Sequence, residues 1–346
     1  MNSLSVKNIK PQHLVLAVLL VVVFTLPLWL ESYPLHLITV ILMYVFMAQA
    51  WNISGGFTGS FSFLHPVFIG AGAYTSTLLF IHLGVSPWIG MFAGAAISVI
   101  LSTIINGICL RAKVTIMPFA LITIAFVFVF MFAADSFASL GGGDRGVQIP
   151  YQPGIGNFMF TTKFGYFITI LIALVLIMTF MHFLFKTRLG LRFRALKDNP
   201  RGSEAVGVGY TKYILITNGI SAAFISFGGT FYAQFIGSLL PSTAISFHAI
   251  LVIVLGAAVG GVGTLWGPVV GIGLLMPVGE ILRTKLPQYQ SLHLLLYGII
   301  VVGVLVAIPH GIVPLIEKRI ERAKLRRHAL AREAARESAA GGAPAK

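Results

Sequence analysis

Charge is what this 346-residue chain has least of: 10% of its residues are Asp, Glu, Lys or Arg, against 57% hydrophobic ones. Soluble domains carry about 25% charged residues, and the mean hydropathy here is +0.92, so a water-soluble globule is excluded. Cysteine is nearly absent as well. Cys109 stands alone in an apolar run, which excludes a disulfide framework and a paired-thiol metal site. There is no G-x-x-x-x-G-K-[ST] phosphate loop, so nucleotide hydrolysis by that route is excluded. No H-E-x-x-H pair or carboxylate cluster points to a metal or an intramembrane hydrolase. Among the acids, only Asp135 and Glu280 approach apolar segments, near their outer ends. Ion-coupled carriers commonly place acids or broken-helix ion sites at the midplane, which counts against a stand-alone secondary transporter.

What fills the chain instead is a series of long apolar segments, near 13–30, 34–54, 64–83, 87–109, 114–134, 164–185, 213–238, 245–262, 265–283 and 291–308. Each has roughly 17–25 mainly apolar residues, enough to cross about 30 Å of hydrocarbon. They are too long and too unalternating for an outer-membrane barrel. The expected fold is therefore all-α, a polytopic membrane bundle of about ten transmembrane helices. The first segment follows Lys7 and Lys10 like a signal peptide, but it exceeds a usual h-region and no A-x-A-like site follows. It reads as a retained helix.

The net charge of +14 is an address and not a nucleic-acid site. With the N-terminus inside, one face holds Lys7, Lys10, Arg111, Lys113, the basic residues between 186 and 212, and those after Pro309. The other face balances Arg145, Lys163, Arg283 and Lys285 against Glu31, Asp135, Asp144 and Glu280. Basic residues in short loops stay in the cytoplasm, so both termini are expected there.

Three stretches break the apolar monotony. The first runs from Asn52 through Gly56, Thr58, Gly59, Ser62, His65 and Pro66 to Gly70, Gly72 and Tyr74. Non-helical backbone at membrane depth is tolerated only where protein or a water-filled cavity surrounds it, and small residues also let helices approach closely. The stretch reads equally as a tight crossing or as a wall of a translocation path. His65 is an intramembrane functional candidate or the partner of a carbonyl freed by Pro66. The second stretch, 186–209, is the longest polar segment, with Arg192, Arg194, Lys197, Asp198, Asn199, Glu204 and Gly207. Asn199 as N-cap, Pro200 at the first helical position and a left-handed Gly207 or Gly209 predict a helix of about two turns. A topology anchor needs only charge, so a capped helix favours a cytoplasmic docking surface. In the third stretch Gly256 and Gly260, then Gly267 and Gly271, have the spacing that packs helices backbone to backbone. Gly141 to Gly146 matches G-x-G-x-x-G in letters only. Without a preceding strand it reads as a flexible outer loop.

These stretches carry a resemblance to LivM-type permeases of branched-chain amino-acid ABC importers. Asn52, Gly56, Phe57, Thr58, Gly59, Ser62, His65, Phe68, Gly70, Gly72, Ala73 and Tyr74 fill that family's glycine-rich signature. Gly190, Arg194, Ala195, Leu196, Lys197, Asp198, Asn199, Ala205 and Gly207 or Gly209 are similar to its polar loop. Gly260 to Gly271 resembles its G-G-x-G-T-x-x-G-P-x-x-G element nearly position for position. The resemblance covers about residues 10–315.

It implies an arrangement like vitamin B12-type importer permeases, with no cofactor and no catalytic residue. The first stretch would line the substrate pathway, and 186–212 would be a coupling loop moved by ATP hydrolysis on other subunits. The implied partners are a LivH-type permease, two cytoplasmic ATPase subunits, a periplasmic amino-acid-binding protein and the lipid bilayer of a bacterial inner membrane. The 136–163 loop would be a contact for the binding protein. Leu64, Pro66 and Ser60 depart from the signature and crowd it, and Gly202 falls inside the expected coupling helix. Leucine, isoleucine or valine is the expected cargo; urea, a short amide or another small organic solute is the alternative. Residues 1–310 form the expected permease domain. Residues 311–346 form a basic tail whose charge attracts anionic lipid.

Overall fold

The protein is described by a computed structural model over residues 31–112, 114–137, 142–143, 146–285 and 290–322. The expected span at 13–30, Gly141, Asp144, Arg145 and the tail beyond 322 lie outside the described residues. Helices α1 (Ser32–Trp51), α2 (His65–Leu83), α3 (Pro87–Arg111), α4 (Ile116–Ser136) and α5 (Lys163–Leu184) precede the polar segment. That segment forms two helices, α6 (Arg188–Asp198) and α7 (Pro200–Ala205). After it come α8 (Tyr210–Ile236), α9 (Pro241–Ala244), α10 (Phe247–Gly260), α11 (Gly267–Lys285) and α12 (Gln290–Ala307), and helical backbone resumes over 312–322. Among the described residues, 8 helices are long and apolar enough to cross a membrane. The chain is a polytopic helical membrane bundle. Helix α11, expected as a span, is not one of the eight, since Glu280, Arg283 and Lys285 dilute the apolarity of its last turns.

The spans alternate in direction, so the connections gather at two ends. A basic end holds 52–64, α6, α7, the turn at 261–266 and 308–322. The far end holds 142–162 and 237–246. The expected flexible loop, Gly141 to Gly146, lies in part outside the described residues, and an ordered cap follows it at the far end. Strand β1 (Val147–Gln148) pairs antiparallel with β2 (Ser238–Leu239), and Ile149, Phe158 and Met159 are buried beneath. Trp88 Nε1 donates to the Ile155 carbonyl at 2.7 Å and its ring stacks on Phe158, which fixes the cap to the start of α3.

Large apolar side chains such as Met47, Trp51, Phe68 and Ile250 fill the centre of the bundle, but α3 inverts the pattern of a soluble protein's helix. Along α3 the buried positions include Gly90, Gly94, Ser98, Ser102 and Asn106, while Ile89, Phe92, Ile97, Ile100, Ile104 and Ile108 face outward. Small residues every fourth position form one stripe along a helix, and lipid gives no hydrophobic penalty for large side chains outside it. Helices α2, α3 and α8 close on this stripe. A Cβ at Gly94 would lie 2.9 Å from Gly72 Cα, one at Gly72 2.1 Å from the Ser226 carbonyl oxygen, and one at Gly229 2.1 Å from that of Ile69. Gly229→Ala therefore collides with backbone that cannot step aside, and a loss of about 1–3 kcal/mol is expected. Gly219→Ala, whose Cβ would meet only Val99 Cγ1 at 3.7 Å, serves as the neutral control in a thermal-unfolding comparison of the two variants in detergent.

Candidate functional site

Helix α1 does not end in a cap. It widens into a π turn over Asn52–Gly56, where the Phe57 amide donates to the Asn52 carbonyl at 3.0 Å. Gly55 and Gly56 weaken helix propagation here, and the Trp51 ring occupies the space a Cβ on Gly55 would take. The chain from 57 to 64 is non-helical yet largely buried, so its polar groups need partners. The Ser60 amide donates to the Ser54 carbonyl at 3.1 Å, the Phe63 amide to Thr123 Oγ1 at 3.1 Å, and Trp51 Nε1 to the Ser62 carbonyl at 3.2 Å.

The broken segment is tied to the turn between α10 and α11 through one amide side chain. Asn52 Nδ2 donates to the Thr264 carbonyl at 2.9 Å, and Asn52 Oδ1 accepts from the Gly263 amide at 2.9 Å. Gln49 Nε2 adds a bond to the Leu265 carbonyl at 2.7 Å. Glycine at 56 is what the clamp requires, because a Cβ there would lie 1.8 Å from Asn52 Oδ1 and 2.7 Å from the Gly263 nitrogen. Within the turn Gly263 holds φ +81°, in the left-handed region that glycine adopts without a Cβ clash.

Helix α6 brings the polar segment to the same place. Thr187 caps it, accepting from the Gly190 amide, and Phe193 and Leu196 anchor it in the core. Lys197 then lies along Gly59 and Gly263. Its Cβ is 3.9 Å from where a Cβ on Gly59 would sit, and its Nζ 2.7 Å from the same point on Gly263. Partial burial pushes the Lys197 ammonium pKa down. The three stretches singled out in the sequence thus meet at one junction of Asn52, Gly56, Gly59, Lys197 and Gly263.

The polar segment is more helical than the single two-turn helix expected from its sequence, since 188–198 is itself helix α6. Arg192 donates to the Tyr213 hydroxyl at 2.5 Å, and Arg194 places its guanidinium 6.0 and 5.9 Å from the Phe57 and Phe185 ring centroids. Asn199 caps α7, its Oδ1 accepting from the Gly202 amide at 2.9 Å. A Cβ at Gly202 would crowd Asn199 Nδ2 at 2.9 Å, which accounts for glycine inside that helix. Asp198 and Glu204 are exposed, and Gly207 closes the segment at φ +85°. All five charged residues are exposed, but Arg192, Arg194 and Lys197 also reach neighbouring parts of the chain.

The residues of the first stretch divide among three places. Gly56, Thr58 and Gly59 sit at the junction. Ser62 and His65 belong to a buried knot in which His65 Nδ1 lies 3.1 Å from the Ser62 carbonyl and Nε2 2.8 Å from Ser221 Oγ. The Ser221 hydroxyl in turn donates to the Ala50 carbonyl at 2.6 Å, and His65 is only 1% exposed, so its imidazole braces the helix break. Gly70 and Gly72 lie at close contacts with Ile245 and Ser226, and Tyr74 packs in the cluster under the far-end cap. The third stretch brings α10 and α11 together, with a Cβ at Gly260 placed 1.7 Å from the Gly267 carbonyl oxygen and one at Gly271 1.8 Å from that of Gly256. Sequence reading missed Gln49 and Asn218, although polar side chains within apolar spans were a visible signal. Asn218 Nδ2 donates to Ser60 Oγ at 3.1 Å. Ser221 gave no such signal.

The family described as "Branched-chain amino acid transport system / permease component" matches over residues 33–305. The chain belongs to this family. It is 23% identical to the high-affinity branched-chain amino acid transport system permease protein LivM of Salmonella typhimurium, covering 90% of this chain and 77% of that protein. It is 25% identical to LivH of Escherichia coli over 80% of this chain and 93% of that protein. The guanosine ABC transporter permease protein NupQ of Bacillus subtilis is 26% identical over 64% of this chain and 73% of its own length. No solved structure matches the chain, so a vitamin B12-type arrangement rests on the resemblance alone. This permease is a multi-pass transport subunit, and its three signature stretches converge on the Asn52 clamp. Asn52→Ala leaves the Gly263 amide and the Thr264 carbonyl without partners in an apolar setting, at a cost of roughly 2–4 kcal/mol. Denaturant unfolding followed by tryptophan fluorescence is expected to show that loss.

Proposed function

We propose that this permease is one of two membrane subunits of an ABC importer that carries branched-chain or related amino acids into the cytoplasm. Both termini then face the cytoplasm, in agreement with the basic residues gathered at one end of the bundle. A LivH-type permease, two ATPase subunits and a periplasmic amino-acid-binding protein complete the assembly. The observation that carries this reading is the junction itself. Lys197 of α6 touches both the broken segment after α1 and the α10–α11 turn, so displacement of α6 by an ATPase moves a non-helical stretch of the bundle. Helices α6 and α7 are the coupling element, with Asp198 and Glu204 toward the ATPase. The 142–162 cap at the far end is the surface for the binding protein. A proton- or ion-coupled carrier is disfavoured by the acids, which stay at the ends of the spans.

A second reading of the cargo comes from the similarity to NupQ, whose name states guanosine. Leu64 and Pro66, which crowd the first stretch, fit a cargo other than the family's usual one. Labelled leucine uptake by vesicles holding all subunits separates the two readings. The amino-acid reading predicts ATP-dependent uptake competed by valine and not by guanosine or urea, whereas no leucine uptake together with ATP-dependent uptake of labelled guanosine transfers the cargo to nucleosides. Replacing 198–204 by a Gly/Ser linker is expected to leave insertion intact and to reduce uptake at least about tenfold, a barrier change of roughly 1.4 kcal/mol. Undiminished uptake would remove the docking role from this segment.

A further inference from the structure

Beside the junction, at the basic end, the described residues line an open cavity of about 410 Å³, within the roughly 300–1,000 Å³ of small-molecule sites. Phe57 and Phe185 form its apolar wall, their rings stacked with centroids 3.6 Å apart. Arg194 of α6 holds its guanidinium over both rings. Lys186, in the turn between α5 and α6, contributes a second cation. Opposite in charge is Glu317, brought to the same cavity by the helical segment 312–322. His182 and Thr264 add polar atoms to the lining. Among the described residues the ion pair formed is Glu280 with Arg283, so Glu317 reaches this cavity without closing on Lys186 or Arg194.

We propose that this cavity is a binding site, open from the cytoplasmic side, for a small zwitterion with an apolar side chain, an α-amino acid. The proposal rests on the transport reading above and extends it to a binding site on this chain. An α-carboxylate pairs with the Arg194 fork, for which bidentate geometry is favourable, and Lys186 adds its charge. The α-ammonium pairs with Glu317. An aliphatic side chain lies on the Phe57 and Phe185 rings and is withdrawn from water. A phosphate, free or on a lipid headgroup, would satisfy the cations but would sit against the Glu317 carboxylate. A neutral amide would leave all three charges unpaired. The zwitterion is the chemistry that uses every charged group in the lining. Arg194 and Lys197 share helix α6, so an amino acid held here also holds the helix that touches the Asn52 clamp.

The test is equilibrium binding of labelled leucine to the full chain with its permease partner in lipid nanodiscs, without the binding protein. Saturable binding is expected, competed by valine but not by leucinamide or N-acetyl-leucine, each of which lacks one charge. Glu317→Gln is expected to weaken it at least about tenfold, the loss of one charge-assisted hydrogen bond, with Glu317→Asp retaining most of the affinity. Lys186→Gln provides an independent loss on the carboxylate side. Absence of saturable binding, equal binding by Glu317→Gln, or displacement by inorganic phosphate or added phosphatidylglycerol would overturn the proposal, the last two by showing an anion site. ATP-driven uptake by the complete importer is measured in parallel. Uptake without this binding overturns the cavity assignment alone, and binding without uptake overturns the transport reading alone.

Discussion

Everything at the basic end depends on one amide side chain. A helix that breaks inside an apolar bundle exposes carbonyls and amides that no lipid can satisfy. Asn52 solves this for two segments at once, since its side chain both donates and accepts, to Thr264 and from Gly263. Without it α1 would have to continue as a regular helix or the turn after α10 would have to find other partners. Gly56 follows from the same bond pair, because a Cβ there would enter the space Asn52 fills, and Gly263 follows from its neighbours, because a Cβ there would lie 2.7 Å from the Gly56 carbonyl oxygen and from Lys197 Nζ. The buried knot of His65, Ser62 and Ser221 supports the clamp from the other side of the break.

The rest of the bundle is organised so that this break can persist. Helices α2, α3 and α8 pack through glycine and serine at near-backbone contact, and α10 and α11 do the same through Gly256, Gly260, Gly267 and Gly271. Such packing replaces the hydrophobic drive that helices lack in lipid. It also makes the frame stiff, and under the proposed coupling role any displacement of α6 would be concentrated on the segment that has no helix to hold it.

Much of this was legible in the sequence, and the reasons differ from element to element. Apolar length alone placed the described spans, because a bilayer sets helix length directly. The Asn199–Pro200 start of α7 was legible because a cap and a fixed φ are local properties. Helix α6 was hidden because its amphipathic face, Phe193 and Leu196, is short and embedded in basic residues that read as a charged approach. The far-end cap was hidden for a different reason. Its order comes from pairing with Ser238–Leu239 and from the Trp88 and Phe158 stack, contacts between parts of the chain far apart. The junction itself could not be read locally at all. Each stretch showed its glycines, and only the fold shows that they are glycines for one another.

The most direct test of the account is to lock the junction. In a Cys109→Ser background, Gly59→Cys with Lys197→Cys places two thiols where the Lys197 Cβ lies 3.9 Å from the Cβ built on Gly59, a separation typical of a disulfide. Both substitutions lower the starting rate, Gly59→Cys through its left-handed backbone at φ +75° and Lys197→Cys through the lost side chain, so the reference is the same variant kept reduced. Oxidation is expected to form the cross-link and stop the ATP-driven uptake that the reduced variant shows, and reduction to return it to that level. A cross-linked importer that transports at the reduced rate would contradict the claim that α6 must move against the broken segment.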